Sequence, residues 1–127
     1  MFDHIHHVAI VCSDYARSKH FYVDLLGFEI VRETYRKDRS SFKLDLKLGE
    51  TCAIELFSFP NPPKRLTHPE ACGLRHIAFA VENLQSTIHQ LTSKGVAVEA
   101  IRKDELTGKR FTFFRDPDDL PIEVYER

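Results

Sequence analysis

The chain says the same thing twice, and that repeat constrains its fold more than any other feature. HHVAIVCSDYARSKHFY, starting at His6, aligns with RHIAFAVENLQSTIHQL, starting at Arg75. His7 falls on His76, Ala9 on Ala78, Asp14 on Asn83 and His20 on His89, an offset of 69, the difference between 76 and 7. From Gly27 and Gly95 onward the offset is 68, and it still holds where Ile54-Glu55-Leu56 meets Ile122-Glu123-Val124. One deletion between the glycines accounts for the change. Each half therefore carries a histidine at the start of its first strand and a glutamate in its last. A repeat that brings two imidazoles and two carboxylates into equivalent positions builds a pseudo-twofold site, and that donor set suits a divalent transition ion.

The local pattern makes each half a βαβββ module. Residues 7–12 are short, β-rich and apolar on both parities, so they form a strand. Ser13 or Asp14 then caps a helix in which Tyr15, Ser18, Phe21, Tyr22, Leu25 and Leu26 recur at helical spacing, and Gly27 ends it. Residues 28–32 are the next strand and 36–40 a polar turn. Phe42-Lys-Leu-Asp-Leu-Lys-Leu alternates strictly and is a half-buried strand. Gly49-Glu50 turns the chain into the strand 52–59. Residues 60–73 are a stiff, proline-rich linker. The second half repeats the order: strand 76–81, a helix capped by Asn83 and ended at Gly95, then strands 96–102, 110–114 and 121–125. Between the last two lies the turn Asp116-Pro-Asp-Asp, where Asp119 takes the left-handed conformation at modest cost. The 127 residues thus form one domain, with module one about 1–59, a linker at 60–73 and module two about 74–127.

Side chains two apart share a face of a strand. His7 shares its face with Ala9 and Val11, and His76 with Ala78 and Ala80, which leaves room beside each histidine. Ile10, Ile77 and Phe79 belong under the helices. Glu55 is in phase with Phe57, and Glu123 with Tyr125, while Ile54, Leu56, Ile122 and Val124 take the core face. A carboxylate so placed among aliphatics has to be paired, protonated or given to a metal.

Composition excludes several partners. A net charge of −1 with interspersed signs gives no footprint for nucleic acid or for an anionic membrane. No apolar run approaches the ~20 residues of a membrane span, and the polar MFDHIHH start is unlike a signal peptide, so a cytoplasmic protein is expected. Cys12, Cys52 and Cys72 lack paired ligand spacing and read as reduced, partly buried thiols.

The stretches HHVAI, SKHFYVDLLGFEIV, CAIELF, GLRHIAFAV and RDPDDLPIEVYE resemble the vicinal oxygen chelate superfamily, and most closely its glyoxalase I (lactoylglutathione lyase) branch. The resemblance covers almost the whole chain. It implies an α+β fold in which two βαβββ modules form an open, eight-stranded, U-shaped sheet around one six-coordinate divalent metal (Ni²⁺, Co²⁺, Zn²⁺ or Mn²⁺). It also implies a homodimer. The branch's His, Glu, His, Glu pattern carries over to His7, Glu55, His76 and Glu123, the same four that the repeat finds unaided. The implied chemistry is bidentate chelation of vicinal oxygens in a small-molecule substrate. The ion stabilises an enediolate as a Lewis acid, and a glutamate shuttles a proton between adjacent carbons. Glu123 is expected as the base, with Glu55 its pseudo-symmetric counterpart. Two departures stand out. The bacterial glyoxalase pattern has an arginine where this chain has Val11 and an asparagine where it has Phe59, and both of those groups bind glutathione. A smaller or more apolar substrate follows.

Phe57 and Phe59 share the parity of Glu55 and are candidates for an apolar pocket wall. Lys109 and Arg110 follow Gly108 and are either a solvated hairpin or a cationic pocket mouth for an anionic substrate. His4, His6, His20 and His89 read as surface or packing residues, with His6 on the face opposite His7. Alternatives to a glyoxalase-like lyase or isomerase are an epimerase, a thiol-transferring resistance enzyme and a non-catalytic small-molecule binder. Epimerases of the superfamily usually carry glutamine at the Glu55 position, fosfomycin-modifying members lack a carboxylate ligand there, and sequestering members lack the ligands.

Overall fold

The computed structural model describes residues 1–50 and 52–127, without the side chains of Cys52 and Ala53, so the expectation for the Cys52 thiol lies outside the described residues. The chain divides into two compact units, Met1–Lys64 and Arg65–Arg127. Each is a four-stranded sheet with one helix, as two α+β modules require.

In the first unit the order along the sheet is β1 (Val8–Cys12), β4 (Cys52–Ser58), β3 (Ser41–Leu48) and β2 (Glu29–Arg36). Strands β1 and β4 are parallel, and the other pairs are antiparallel. Asp14 caps the helix through its carboxylate, which accepts from the Arg17 amide at 3.1 Å. This helix, α1, is α-helical over Tyr15–Lys19 and π-helical over His20–Leu25. The wider turn puts Ser18, Phe21 and Tyr22 on one buried side. Gly27, at φ 83°, supplies the left-handed stop. Ile10, Leu44, Leu46, Ile54 and Leu56 close the core beneath it.

The second unit repeats this as β5 (Ile77–Val81), β8 (Pro121–Glu126), β7 (Arg110–Arg115) and β6 (Arg102–Lys103). Its helix α2 (Leu84–Ser93) is capped by Asn83, whose side chain accepts from the Ser86 amide at 2.9 Å. Leu84, Leu91, Phe114, Ile122 and Val124 are its buried side. Asp119 takes φ 67°, the left-handed conformation expected of that turn.

Four expectations change. Strand β2 runs on to Arg36, because it pairs with β3 through Arg36↔Ser41, and only Lys37–Arg39 forms the turn. The strand expected at 96–102 survives as a ladder only over Arg102–Lys103. There the Thr112 hydroxyl reaches the carbonyls of Glu99 and Ala100 at 2.8 and 3.2 Å, taking acceptors a regular ladder would use. The last part of the expected linker belongs to the second unit. Arg65 donates to the carbonyls of Leu74 and Arg75, and Thr67 to that of Asp119 at 2.9 Å, closing residues 65–75 into a loop tied to the β7–β8 turn. Cys12 is buried as expected, but Cys72 is exposed on this loop.

Candidate functional site

The parity argument holds in both units. Ile54, Leu56, Ile122 and Val124 are buried, while Ala9, Val11, Ala78 and Ala80 are exposed on the opposite face. The registers are equivalent: Ala9 lies across from Glu55 and Ala78 across from Glu123, with each histidine two residues before its alanine. An alanine there removes the bulk that would otherwise separate imidazole from carboxylate. His7 Nε2 meets Glu55 Oε2 at 2.5 Å, and His76 Nε2 meets Glu123 Oε2 at 3.0 Å.

Each unit thus offers one imidazole nitrogen and one carboxylate oxygen facing each other. This donor set fits a divalent ion. Two ligands at right angles, each about 2.1 Å from an ion, are separated by about 3.0 Å, close to the His76–Glu123 spacing. Among the described residues no three His, Cys, Asp or Glu side chains gather into a metal cluster, and each unit by itself contributes two donors.

The two pairs differ in their surroundings. In the first unit Lys43 Nζ lies 2.7 Å from Glu55 Oε1 and 3.5 Å from Asp45. Lys43 holds the Glu55 carboxyl below its ordinary value, against the opposing effect of burial. Both Glu55 oxygens are therefore engaged, one by lysine and one by His7. At the offset of 68, the places of Lys43 and Asp45 are taken by Phe111 and Phe113. Phe113 sits directly across from Glu123 and meets the His76 ring edge-on at 5.2 Å. Glu123 consequently has an aromatic neighbour where Glu55 has a cation.

The far nitrogens of the histidines are also positioned. His6 Nδ1 is 2.9 Å from His7 Nδ1. This corrects the expectation that His6 faces away: the ladder begins at Val8, so strand alternation does not govern residue 6. Arg75 Nη1 lies 3.3 Å from His76 Nδ1.

Phe57 and Phe59 stack with ring centroids 6.1 Å apart, and the Arg36 guanidinium lies over them at 4.8 and 5.5 Å. Sequence reasoning had assigned Arg36 to a solvated turn. Arg110 forms a two-pronged ion pair with Glu126 at 3.0 and 2.7 Å, on the parity of Thr112 rather than of Phe111 and Phe113. Lys109 is exposed at the β6–β7 hairpin. The second unit has a cleft of about 450 Å³ lined by the His76–Glu123 pair, Phe111, Phe113, three arginines (75, 102 and 115) and loop residues Thr67, His68 and Glu70. Neither Lys109 nor Arg110 is in that lining. Lys43 and Arg102 had passed unnoticed in the sequence. The alternation of β3 placed Lys43 on a polar face without saying that this face carries Glu55.

Paired βαβββ modules, each with histidine and glutamate at the same register, define a vicinal oxygen chelate protein. The model of the Glyoxalase/Bleomycin resistance protein/Dioxygenase superfamily matches residues 4–124, and the chain belongs to that superfamily. It is 60% identical over 123 residues to YwkD of Bacillus subtilis (strain 168), covering 97% of this chain and 96% of that protein. The crystal structure of a glyoxalase family protein from Enterococcus faecalis is 49% identical, with a TM-score of 0.92 and 98% of both chains covered. The trypanothione-dependent glyoxalase I of Leishmania major is a more distant likeness, at 26% identity and a TM-score of 0.76, covering 98% of this chain and 87% of that one.

Proposed function

We propose that this chain is a metal-dependent, glyoxalase I-like lyase or isomerase that moves a proton between adjacent carbons of a small substrate bearing vicinal oxygens. His7, Glu55, His76 and Glu123 are its ligand set. The observation that carries the reading is the doubled geometry: each unit turns an imidazole Nε2 toward a carboxylate Oε2 from equivalent registers. The distant likeness to a glyoxalase I supports it. A bound divalent ion supplies Lewis acidity to the substrate's oxygens.

The residues divide the remaining work. Glu55, fixed between His7 and Lys43 and held ionised, is a poor base and a steady ligand. Glu123 has no such lysine clamp across the sheet, because Phe113 stands there, and it takes the proton from the carbon beside the carbonyl and returns it to the neighbouring carbon. Phe57 and Phe59, with the Arg36 guanidinium over their rings, give an aromatic wall on the first unit, and Lys109 a cation at the hairpin.

The test is deuterium incorporation from D₂O into a panel of hemithioacetals and α-hydroxyketones by metal-loaded protein. Incorporation should depend on metal and fall about 10²–10⁴-fold in Glu123→Gln. Glu55→Gln should lose less of it. Protein with stoichiometric metal that exchanges no carbon-bound proton in any compound is no such enzyme, and would be a binder instead.

We also propose a homodimer, motivated by open sheets whose edge strands β1, β2, β5 and β6 need cover. Light scattering at micromolar concentration should return twice the 14.8 kDa chain mass. A chain-sized particle sinks the proposal.

A further inference from the structure

We infer that Arg102 is the specificity-determining residue of the second unit's cleft, and that it anchors a carboxylate on the substrate beside the reacting group. The inference deepens the function proposed above and rests on it for the identity of the reacting group.

Three arginines line the cleft, and each has a carboxylate partner; Arg102 is set apart by its two aromatic neighbours. Arg75 pairs with Glu70 and reaches His76 Nδ1, while Arg115 pairs with Asp119 at 3.0 Å. Arg102 is held differently. Its guanidinium carbon lies 5.1 Å from the Phe113 ring centroid and 5.5 Å from that of Phe111, within cation–π reach of two rings set at 86° to each other. Among the described residues its ion-pair partner is Glu99, reached from Nη2 at 3.1 Å. A guanidinium carries five N–H donors in a fixed plane, so one contact through Nη2 leaves an edge of the fork for a ligand. The cation–π contacts hold the guanidinium beside these rings before a ligand arrives, so less side-chain freedom is lost on binding. A lysine there would lack the planar fork.

The location sets the substrate class. Phe113 lies 5.1 Å from the Arg102 guanidinium carbon and meets the His76 ring at 5.2 Å. It also lies across from Glu123 in the sheet. A carboxylate on Arg102 therefore sits in the same cleft as the His76–Glu123 pair, with Phe113 in contact with both. The matching ligand is a small monoanionic carboxylic acid with an apolar stretch between its carboxylate and its reactive oxygens.

The test uses metal-free full-length protein, so that binding does not depend on the ion, and phenylacetate against its uncharged isostere phenylacetamide as probes. Titration followed by NMR should give about tenfold or more tighter binding of phenylacetate, with shifts at Arg102 Nε–H and the Phe111 and Phe113 rings. Arg102→Met, which keeps an apolar cover on the rings, should bring the two affinities together. Arg102→Lys should keep part of the preference. Equal affinities in the wild type, no saturable binding of phenylacetate, or a preference that survives Arg102→Met would each overturn the inference. The metal content of the same variants separates this from the function: a carboxylate preference in protein that never takes up metal would sink the metalloenzyme and leave Arg102 standing.

Discussion

Replacing His76 with alanine is expected to strip the purified protein of most of its metal. Gently purified wild type should carry close to one divalent ion per chain by elemental analysis. The ligand set has two nitrogens and two oxygens, and His76 supplies half of the second unit's share. Loss of an outer-sphere partner alone costs a metal site roughly 10–100-fold in affinity, so loss of a direct ligand should cost more. Glu123 is only 13% exposed in its side chain, and without His76 it would face the cleft with neither an imidazole nor an ion beside it. The remaining aromatic wall, Phe113, offers no hydrogen bond in exchange. Histidine at 76 is not needed for the core, which lies on the opposite face under α2, so the variant should fold and its loss of metal can be read cleanly. Full metal retained in His76→Ala, or an ion held by His4, His6 or His20, would show that the four ligands have been misassigned.

The second large effect concerns substrate. Weak or absent turnover is expected on the glutathione hemithioacetal of methylglyoxal, even with the metal site loaded. Proton transfer beside a carbonyl needs the ion and a carboxylate base, and the proposed site has both. Recognition of a tripeptide with two carboxylates needs groups that pair those charges. Val11 is 49% exposed on the face of Ala9 and offers only methyl groups. Phe59 offers a ring, already covered by Arg36. Each polar group left unpaired on burial costs about 1–3 kcal/mol, so two losses amount to about a hundredfold or more in affinity. Arg36 is itself a cation on this face, but one of its terminal nitrogens is spent on Ser41 at 2.8 Å. Steady-state kinetics with Ni²⁺- and Zn²⁺-loaded protein decide the matter. An efficiency of about 10⁵ M⁻¹s⁻¹ or above would show that the missing pair is irrelevant. Val11→Arg combined with Phe59→Asn should raise activity, and no gain would mean that the cleft is shaped for another molecule.

Much of this was legible in the chain because duplication doubles every signal. A lone histidine at the start of a strand says little, whereas His7 and His76 at one offset, with Glu55 and Glu123 at the next, name four positions at once. The caps Asp14 and Asn83 and the stops Gly27 and Gly95 were equally plain, since each serves a local backbone need. What stayed hidden depends on register. Lys43 reaches Glu55 only because β3 lies beside β4 with Asp45 across from Glu55. Arg102 reaches the cleft only because two residues of β6 pair with β7. Arg36 sat within a charged run that imitates a turn, and the pairing of β2 with β3 pulled it into a strand. Charges are where single-sequence pattern is weakest, because a solvated lysine and a site lysine look alike until a neighbouring strand is placed.

The loop at 65–75 closes the picture. Its Arg65 brace and its Thr67 tie to Asp119 fasten it at both ends, yet Thr67, His68 and Glu70 form one wall of the cleft while the sheet supplies the other. The proposed acid–base and ligand groups all stand on strands or immediately before them, and the opposing wall stands on a connection. Connections accept insertions and substitutions that ladders do not. The scaffold thereby separates what the protein can do to a molecule from which molecules it admits, and a lineage can redraw the guest list by editing this loop while the proton-moving machinery is left alone.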